Sequence, residues 1–328
     1  MSRIPSIEEF IGHLVIKSAS VGSKSRDTIE VTVVTVCFNP LEAGRREVFL
    51  KNLDSVQAQE GVSLEHLIID GDSTDGTLDW LKRYDNTNYD IRILSKADSG
   101  IYEAMNRGIA LARGKYIIFL NSDDFFHNSR GMAVSLARIE SFQCNFSFAP
   151  VCFSNSSEHH NSPQIAPQRR LHRFLISWCF SHQSMLTLRS CLLKLDGFDI
   201  SYRSAADYDL LLRMITTGAK GCFVPLAFTT FTPGGFSYSE ENAKLIKKEC
   251  VCALQCFFRD FYSAEMSYLE AEYIFTHCVF PGKYINIYKQ IQKLIRERFI
   301  GIPKGPIAQL SRWFNYIKYY LKCRNSSM

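Results

Sequence analysis

Four short apolar runs, each closed by polar residues, constrain this 328-residue chain more than any other feature. The first, Val31-Thr32-Val33-Val34-Thr35-Val36-Cys37, is a β-branched run of the kind buried on both faces of a parallel sheet. Leu64–Ile69, Ile91–Leu94 and Lys115–Leu120 follow it. Between them the spacing predicts helices near Glu42 to Gln57, through Trp80 and Leu81, and from Ile101 to a stop at Gly114. In the last of these, Ile101, Ala104, Met105, Ile109 and Ala112 form one stripe. Strands alternating with helices in this way predict βαβ units, hence an α/β fold with a Rossmann-like, mostly parallel sheet flanked by helices. Such sheets bind ligands beyond the carboxyl ends of their strands. Asp70, Lys96, Asp98 and the Asp123-Asp124 pair all fall at those ends.

Asp123-Asp124 is the sharpest local feature. Two adjacent carboxylates after a buried strand repel each other unless a cation neutralises them. A hard divalent ion such as Mn²⁺ or Mg²⁺ takes carboxylate oxygens and would also take those of a diphosphate. A solvated acidic turn or a helix N-cap is the plainer alternative. The turn DGDSTDG at Asp70 to Gly76 starts like a calcium loop, but Leu81 stands where the closing Glu is needed. It fails as a phosphate loop too, because Thr77-Leu78 follows Gly76 in place of Lys-Ser/Thr. Ser73 is expected to cap the next helix. No G-x-G-x-x-G follows the first strand, where Phe38-Asn39-Pro40 sits, so a dehydrogenase loses its main support.

Hydrophobic residues make up 46% and charged residues 22%, which excludes a disordered, collagenous or coiled-coil chain. A net charge of +5 excludes a dedicated polyanion binder, so no nucleic-acid partner is expected. The 11 cysteines contain no CxxC pair, and Cys37 and Cys222 sit in apolar runs. Buried free thiols in a reducing compartment fit this better than a disulfide framework. Of Cys250, Cys252 and Cys256, only the last two share a helix face, and no histidine joins them. The opening MSRIPSIEEF lacks a signal peptide's apolar core, and no apolar run reaches the roughly 18 residues of a membrane span. A cytoplasmic protein is expected, which makes the Asn-x-Ser triplets at Asn145, Asn155 and Asn325 chance.

Residues 1–29 read as a lead-in, 30–240 as the main domain (halves 30–128 and 129–240), and 241–328 as a helical, basic and aromatic region. In the second half, strands are expected at 144–153, Ser184–Leu188 and Phe223–Phe231. A polar loop from Ser154 to Gln168 carries His159-His160, and Asp207–Thr217 is a helix. Near the end, Lys283, Lys289, Lys293, Arg296, Arg298 and Lys304 alternate with Tyr284, Ile287, Tyr288, Ile291 and Ile295. Two readings stand side by side. One is an interfacial membrane helix; the other is helices packed on the main domain with a solvated basic side.

In order along the chain, VTVVTVCFNP, IIDGDSTDGT and SKADSGIYEAMNRGIALARGKYIIFLNSDD resemble the nucleotide-sugar half of glycosyltransferase family 2, over about residues 31–124. HQSML (182–186), LDGFD (195–199) and ADYDLLLR (206–213) extend the resemblance loosely to about residue 240. The wording is nearest the bacterial colanic-acid, capsule and O-antigen type. The resemblance implies the GT-A fold and inverting transfer from a nucleoside-diphosphate sugar to a glycan or lipid-linked glycan in surface polysaccharide biosynthesis. It implies that Thr35 and Asn39 line the nucleotide pocket, that Asp70 contacts base or ribose, and that Lys96 and Asp98 border the same pocket. Asn106 and Arg107 lie beneath it, with Arg107 counted among the donor-binding residues. In Ser122-Asp123-Asp124, Asp124 would hold the metal and Asp123 the ribose or the metal shell. Asp207 aligns with the general base. The family's acidic pair is incomplete, because Ala206 replaces its first member and any help from that neighbour is lost or taken by Asp209. His182 and Gln183 are the candidates for contact with acceptor or phosphates, and the His159-His160 loop is a candidate cover. A lipid-linked acceptor would suit peripheral contact of the basic tail with the inner leaflet.

Two rivals remain. A sugar-1-phosphate nucleotidyltransferase would need a Gly-rich loop that CFNPLEAGRR lacks. A catalytically idle relative that binds glycans or scaffolds an assembly is favoured by Ala206 and opposed by the intact Asp123, Asp124 and Asp207.

Overall fold

The computed structural model describes residues 28–84, 91–154, 181–234, 240–277 and 279–300, with the pieces Leu14–Lys17 and Asn161–Ser162 and isolated residues near the start. The β-branched runs form the strands. After β1 (Leu14–Lys17) come β2 (Val31–Cys37), α1 (Arg46–Gln57), β3 (Leu64–Asp70), α2 (Thr77–Arg83), β4 (Ile91–Ser95), α3 (Ile101–Leu111) and β5 (Tyr116–Phe119). Strands β4, β3, β2 and β5 lie side by side and parallel. Both β2 and β3 are buried along their whole length, as near-continuous apolar runs require. The register sets Cys37 opposite Asp70 and Asp70 opposite Ser95, so the polar strand ends form one row.

Beyond β5 the chain forms β6 (Phe125–Phe126), α4 (Gly131–Phe142), β7 (Phe146–Phe148), β8 (Val151–Phe153) and β9 (Asn161–Ser162). Then follow β10 (Leu186–Leu188), α5 (Arg189–Lys194), α6 (Ala206–Thr216), β11 (Gly221–Phe223) and β12 (Thr229–Phe231). The nine-stranded sheet runs β1-β4-β3-β2-β5-β10-β7-β11-β13, with β1 and β10 antiparallel to their neighbours. A second sheet, β6-β12-β8-β9, stands apart from it. The strands expected at 144–153 and 223–231 are each split between the two sheets. Strand β7 pairs in parallel with β11, and β8 with β12, so both runs leave the large sheet together and rejoin in the small one.

Helix α1 starts at Arg46 rather than near Glu42, because the Asp75 carboxylate takes the N–H groups of Leu41 (2.7 Å) and Glu42 (2.9 Å). Helix α2 begins after Gly76, at φ 87°, so Ser73 is not its cap. Helix α3 is buried on nearly every side, and Ile101, expected on its inward stripe, is 40% exposed.

The last described elements are α7 (Glu240–Tyr262), α8 (Tyr268–His277), α9 (Ile285–Arg298) and β13 (Phe299–Ile300), which adds parallel to β11. Leu254, Phe258, Ile291 and Ile295 share one apolar cluster with Val34, Phe119, Phe146 and Tyr208 of the sheet and its helices. The inward face of α9 therefore packs on the fold while Lys289, Lys293 and Arg296 stay exposed. Lys304 and the tail beyond it, like His159-His160, lie outside the described residues. Among the described residues no helix is long and apolar enough to cross a membrane. Cys37, Cys144, Cys152, Cys222 and Cys250 are buried and Cys191, Cys252 and Cys256 half-buried, none of them in a disulfide.

Candidate active site

The row of strand ends is tied together by short polar contacts. Asn39, at φ 45°, donates its N–H to the Ser73 hydroxyl (2.8 Å) and accepts the Thr74 N–H on Oδ1 (2.9 Å). Asp70 is fully buried; it accepts from the Ser73 N–H (3.0 Å) and hydroxyl and from the Ser95 hydroxyl (2.6 Å). Asp70, expected to contact base or ribose, clamps the ends of β3 and β4 to the following turn. Burial first, then the Asp70 charge, pushes the neighbouring Cys37 thiol well up. Gly71 allows a close approach: a Cβ there would stand 3.0 Å from Asp98 Oδ2 and 3.3 Å from the Phe38 ring. Phe38 itself is 67% exposed at the mouth of this row. Asp98 is half-buried and accepts the Gly100 N–H (3.0 Å); burial raises its carboxyl above the usual range.

Two expected pocket residues lie underneath. Arg107 is buried; its guanidinium donates to the carbonyls of Lys96 and Ala97 (2.6 Å each) and pairs with Glu103. It shapes the loop carrying Lys96 and Asp98 from below. Thr35 is fully buried, its hydroxyl 2.8 Å from His66 Nε2 and 3.4 Å from Asn52 Oδ1. Burial pushes His66 down to about 3, so the ring is neutral. Asn52 in turn donates to the carbonyls of Asn121 (2.9 Å) and Asp124 (2.8 Å). Thr35 thus supports the acidic turn through Asn52 and does not line a pocket.

In the acidic turn, Ser122 and Asp123 are half-buried and Asp124 is fully buried. Asp124 accepts the Thr232 N–H on Oδ1 (2.8 Å) and the Gln183 amide on Oδ2 (3.0 Å). Burial, then repulsion from Asp123, raises its carboxyl well above the usual range. Burial also raises Asp123, against the lowering effect of Arg45 and His182. Arg45 pairs with Asp123 and donates to the Gly234 carbonyl (2.8 Å), so it bridges the loop after β2 and the segment after β12. Neither Arg45 nor Thr232 was legible as a site residue, since each reaches the turn only through the fold. Negative charge exceeds its compensation here, which is the condition a hard cation relieves. No group of three or more His, Cys, Asp or Glu gathers among the described residues.

Asp207 lies in the first turn of α6. Its Oδ1 accepts the Tyr208 N–H (2.9 Å) and the Tyr102 hydroxyl (3.3 Å), and Oδ2 is 3.4 Å from His182 Nδ1. His182–Ser184 is a single 3-10 turn, held by Thr229 on the Gln183 carbonyl (2.9 Å) and by Ser184 on the Ala149 carbonyl (2.7 Å). One dipeptide therefore links both acidic centres, His182 to Asp207 and Gln183 to Asp124. Both were expected to reach acceptor or phosphates, and both are engaged with carboxylates. Asp209 does not stand in for the missing acid at the buried Ala206, because it pairs with Arg213 (2.7 Å). Asn106 of α3 holds the loop before α6: its amide donates to the Phe198 carbonyl (2.9 Å) and accepts its N–H (2.8 Å).

Comparisons with known proteins agree with this architecture. Residues 32–189 match the family model of glycosyl transferase family 2. A PGL/p-HBAD biosynthesis glycosyltransferase of Mycobacterium bovis is 29% identical over 168 residues, 51% of this chain and 64% of that protein. Chondroitin synthase of Pasteurella multocida is 31% identical over 171 residues, 51% of this chain and 17% of the synthase. The shared part is less than two thirds of either relative. Among solved structures, S. aureus TarS 1-349 in complex with UDP-GlcNAc is similar at a TM-score of 0.58 and 15% identity, over 82% of each chain. The mannosyltransferase PcManGT of Pyrobaculum calidifontis, in complex with GDP-Man and Mn2+, matches at a TM-score of 0.53 and 14% identity, over 93% of this chain and 84% of that one. At such identities the likeness is one of fold.

Proposed function

Because the chain carries a glycosyltransferase family 2 domain over residues 32–189 in a GT-A fold, we propose that it moves a sugar from a nucleoside-diphosphate donor to a hydroxyl of a glycan or lipid-linked glycan, with inversion. A role in building a bacterial surface polysaccharide goes with that reading. The observation that carries it is the single turn joining Asp207 to the Asp123-Asp124 pair.

The chain's own residues divide the work. The β2–β4 strand ends, with exposed Phe38 and half-buried Asp98, offer the nucleoside a floor and a ring face. Asp124 and Asp123 would hold Mn²⁺ or Mg²⁺, which supplies Lewis-acid neutralisation of the departing diphosphate. An acceptor hydroxyl is a poor nucleophile near neutral pH. Asp207 takes its proton as the acceptor oxygen bonds to the anomeric carbon, and the carbon–oxygen bond to the diphosphate breaks with its electron pair. Attack from the side opposite the leaving group inverts the centre.

The test is a thermal-shift panel of UDP-, GDP-, dTDP- and CMP-sugars, with and without Mn²⁺, on wild type and Asp124→Asn. A metal-dependent rise with one nucleotide, lost in the variant, is expected and identifies the base. Asp207→Asn is expected to keep that shift and lose about 10²–10⁴-fold in turnover. No shift with any donor at saturating metal overturns the donor site and favours an idle, binding-only relative.

A further inference from the structure

We propose that Tyr102 and His182 are positioning residues that hold the Asp207 carboxylate in the orientation needed to take the acceptor's proton. This rests on the reading of Asp207 as general base. Each carboxylate oxygen meets a side-chain donor from a different element: Tyr102 of α3 at 3.3 Å from Oδ1, and His182 of the 3-10 turn at 3.4 Å from Oδ2. Contacts of this length are what a catalytic hydrogen bond shows before substrate tightens it. The Tyr208 N–H anchors Oδ1 from within the helix (2.9 Å), and the two side-chain donors from other elements add the contacts that fix the carboxylate plane, Oδ2 being met by His182.

Both partners are themselves fixed. The Tyr102 ring is 7% exposed and stacks on Phe198, with centroids 5.4 Å apart at 26°. Phe198 is pinned through its backbone by the Asn106 amide. The position of the Tyr102 hydroxyl therefore follows from a chain of contacts running through the α3 motif into the loop before α6. Burial, then the Asp207 charge, keeps the Tyr102 phenol protonated and so a donor.

His182 has an arrangement that a purely structural histidine rarely shows. A carboxylate only accepts, so Nδ1, which faces Asp207, carries a proton, and Nε2 is the other end of the ring. That Nε2 is buried and has no hydrogen-bond partner among the described residues. His182 and Asp207 line a cavity of about 40 Å³ together with Phe119, Met185, Thr187 and Phe198. Buried ring nitrogens are normally paired at both ends. Here only the end that meets Asp207 is. With Ala206 fully buried and Asp209 paired to Arg213, neither of these neighbours gives Asp207 a second carboxylate.

During transfer the acceptor O–H bond breaks and its proton moves to an Asp207 oxygen. The acceptor oxygen bonds to the anomeric carbon, and the electron pair of the broken glycosyl bond leaves on the diphosphate. Tyr102 and His182 give up no proton in this step; they keep the receiving lone pair aimed.

The experiment uses the full chain as Tyr102→Phe, His182→Ala, His182→Asn and Asp207→Asn. UDP-GlcNAc and GDP-mannose with Mn²⁺ serve as donors, and water or octyl glycosides as acceptors. Tyr102→Phe and His182→Ala are each expected to lower kcat about 10- to 100-fold with donor KM within twofold, the size of loss that small misplacement of a reacting group causes. His182→Asn, whose amide can occupy the Nδ1 position, is expected to recover most of that loss. A merely structural histidine would not divide Ala from Asn in kcat alone. Full kcat in both Tyr102→Phe and His182→Ala, with Asp207→Asn inactive, overturns the positioning role and leaves the base reading standing. Full turnover in Asp207→Asn overturns the base reading, and the proposal with it. Should these probes give no turnover, ¹⁵N NMR of the His182 ring decides. An Nδ1–H tautomer that is lost in Asp207→Asn supports the pairing, and an Nε2–H tautomer in wild type overturns it.

Discussion

Glu65 is fully buried in the middle of the parallel sheet, yet its carboxylate is surrounded by donors. The Thr32 hydroxyl (2.8 Å), the Arg113 N–H and Nε (2.6 Å each) and Arg92 Nη1 (3.1 Å) all point at it. Burial alone would raise its carboxyl, but the Arg113 backbone, Thr32 and the Arg113 side chain outweigh it and hold the group below the usual range. The native state thus binds this proton more weakly than the unfolded chain. Its stabilising contribution is complete above the unfolded value of about 4.3 and is lost as pH falls through the lower folded value. Glu65→Gln is expected to cost about 2–4 kcal/mol at pH 7, less than a fully enclosed pair because Arg113 is partly exposed. Urea unfolding at pH 7 and pH 3.5 should show that gap closing in acid; a gap of equal size at both would exclude the charged contacts as its source. At this scale the sequence singles out carboxylates but not their partners. Asp123 and Asp124 stand out because a strand end is visible as a local pattern, and Asp207 stands out through the family resemblance. Arg45, Tyr102 and Thr232 do not, because each acquires its role from a neighbour roughly 80 to 110 positions away in the chain.

At the scale of elements, the approach of α3 to β2 sets the depth of the site. A Cβ on Gly108 would stand 2.4 Å from Val34 Cγ1, so the helix lies as close to the strand as a glycine allows. Gly108→Ala should favour an isolated helix by roughly 1 kcal/mol. In the protein it is expected to destabilise by about 1–3 kcal/mol instead, because neither backbone can yield. Val34→Ala in the same chain should recover part of the loss, and denaturant midpoints of the two single variants and the double variant measure that coupling. Independent, additive losses would show that the contact is not the cause. The periodic stripe read along α3 placed Ile101 inward, whereas the helix is enclosed by the sheet on one side and the loop before α6 on the other. A single-face pattern cannot report a helix covered on nearly every side. The split of two expected strands between two sheets was equally invisible, since both pieces of each run are apolar.

Across the whole molecule, the described helices after residue 240 share one apolar cluster with the sheet. Ile295 is 1% exposed within that cluster. Ile295→Ala is expected to cost about 2–5 kcal/mol, and calorimetry should show one cooperative transition shifted downward. A separate early transition for the helical layer would instead mark the boundary at 240–241 as that of an independent unit. The parallel βαβ layer and its polar strand ends follow from the sequence alone, because β-branched runs alternating with helices leave few other arrangements; with them came the α/β class and the acidic turn, whereas the strand order and the second sheet did not. What only the tertiary structure decided is which polar groups face outward. Asp70, Thr35 and Arg107 turn inward to hold the floor of the site because buried polar atoms must find partners, and those partners lie on strands and loops that become neighbours only when the sheet has formed.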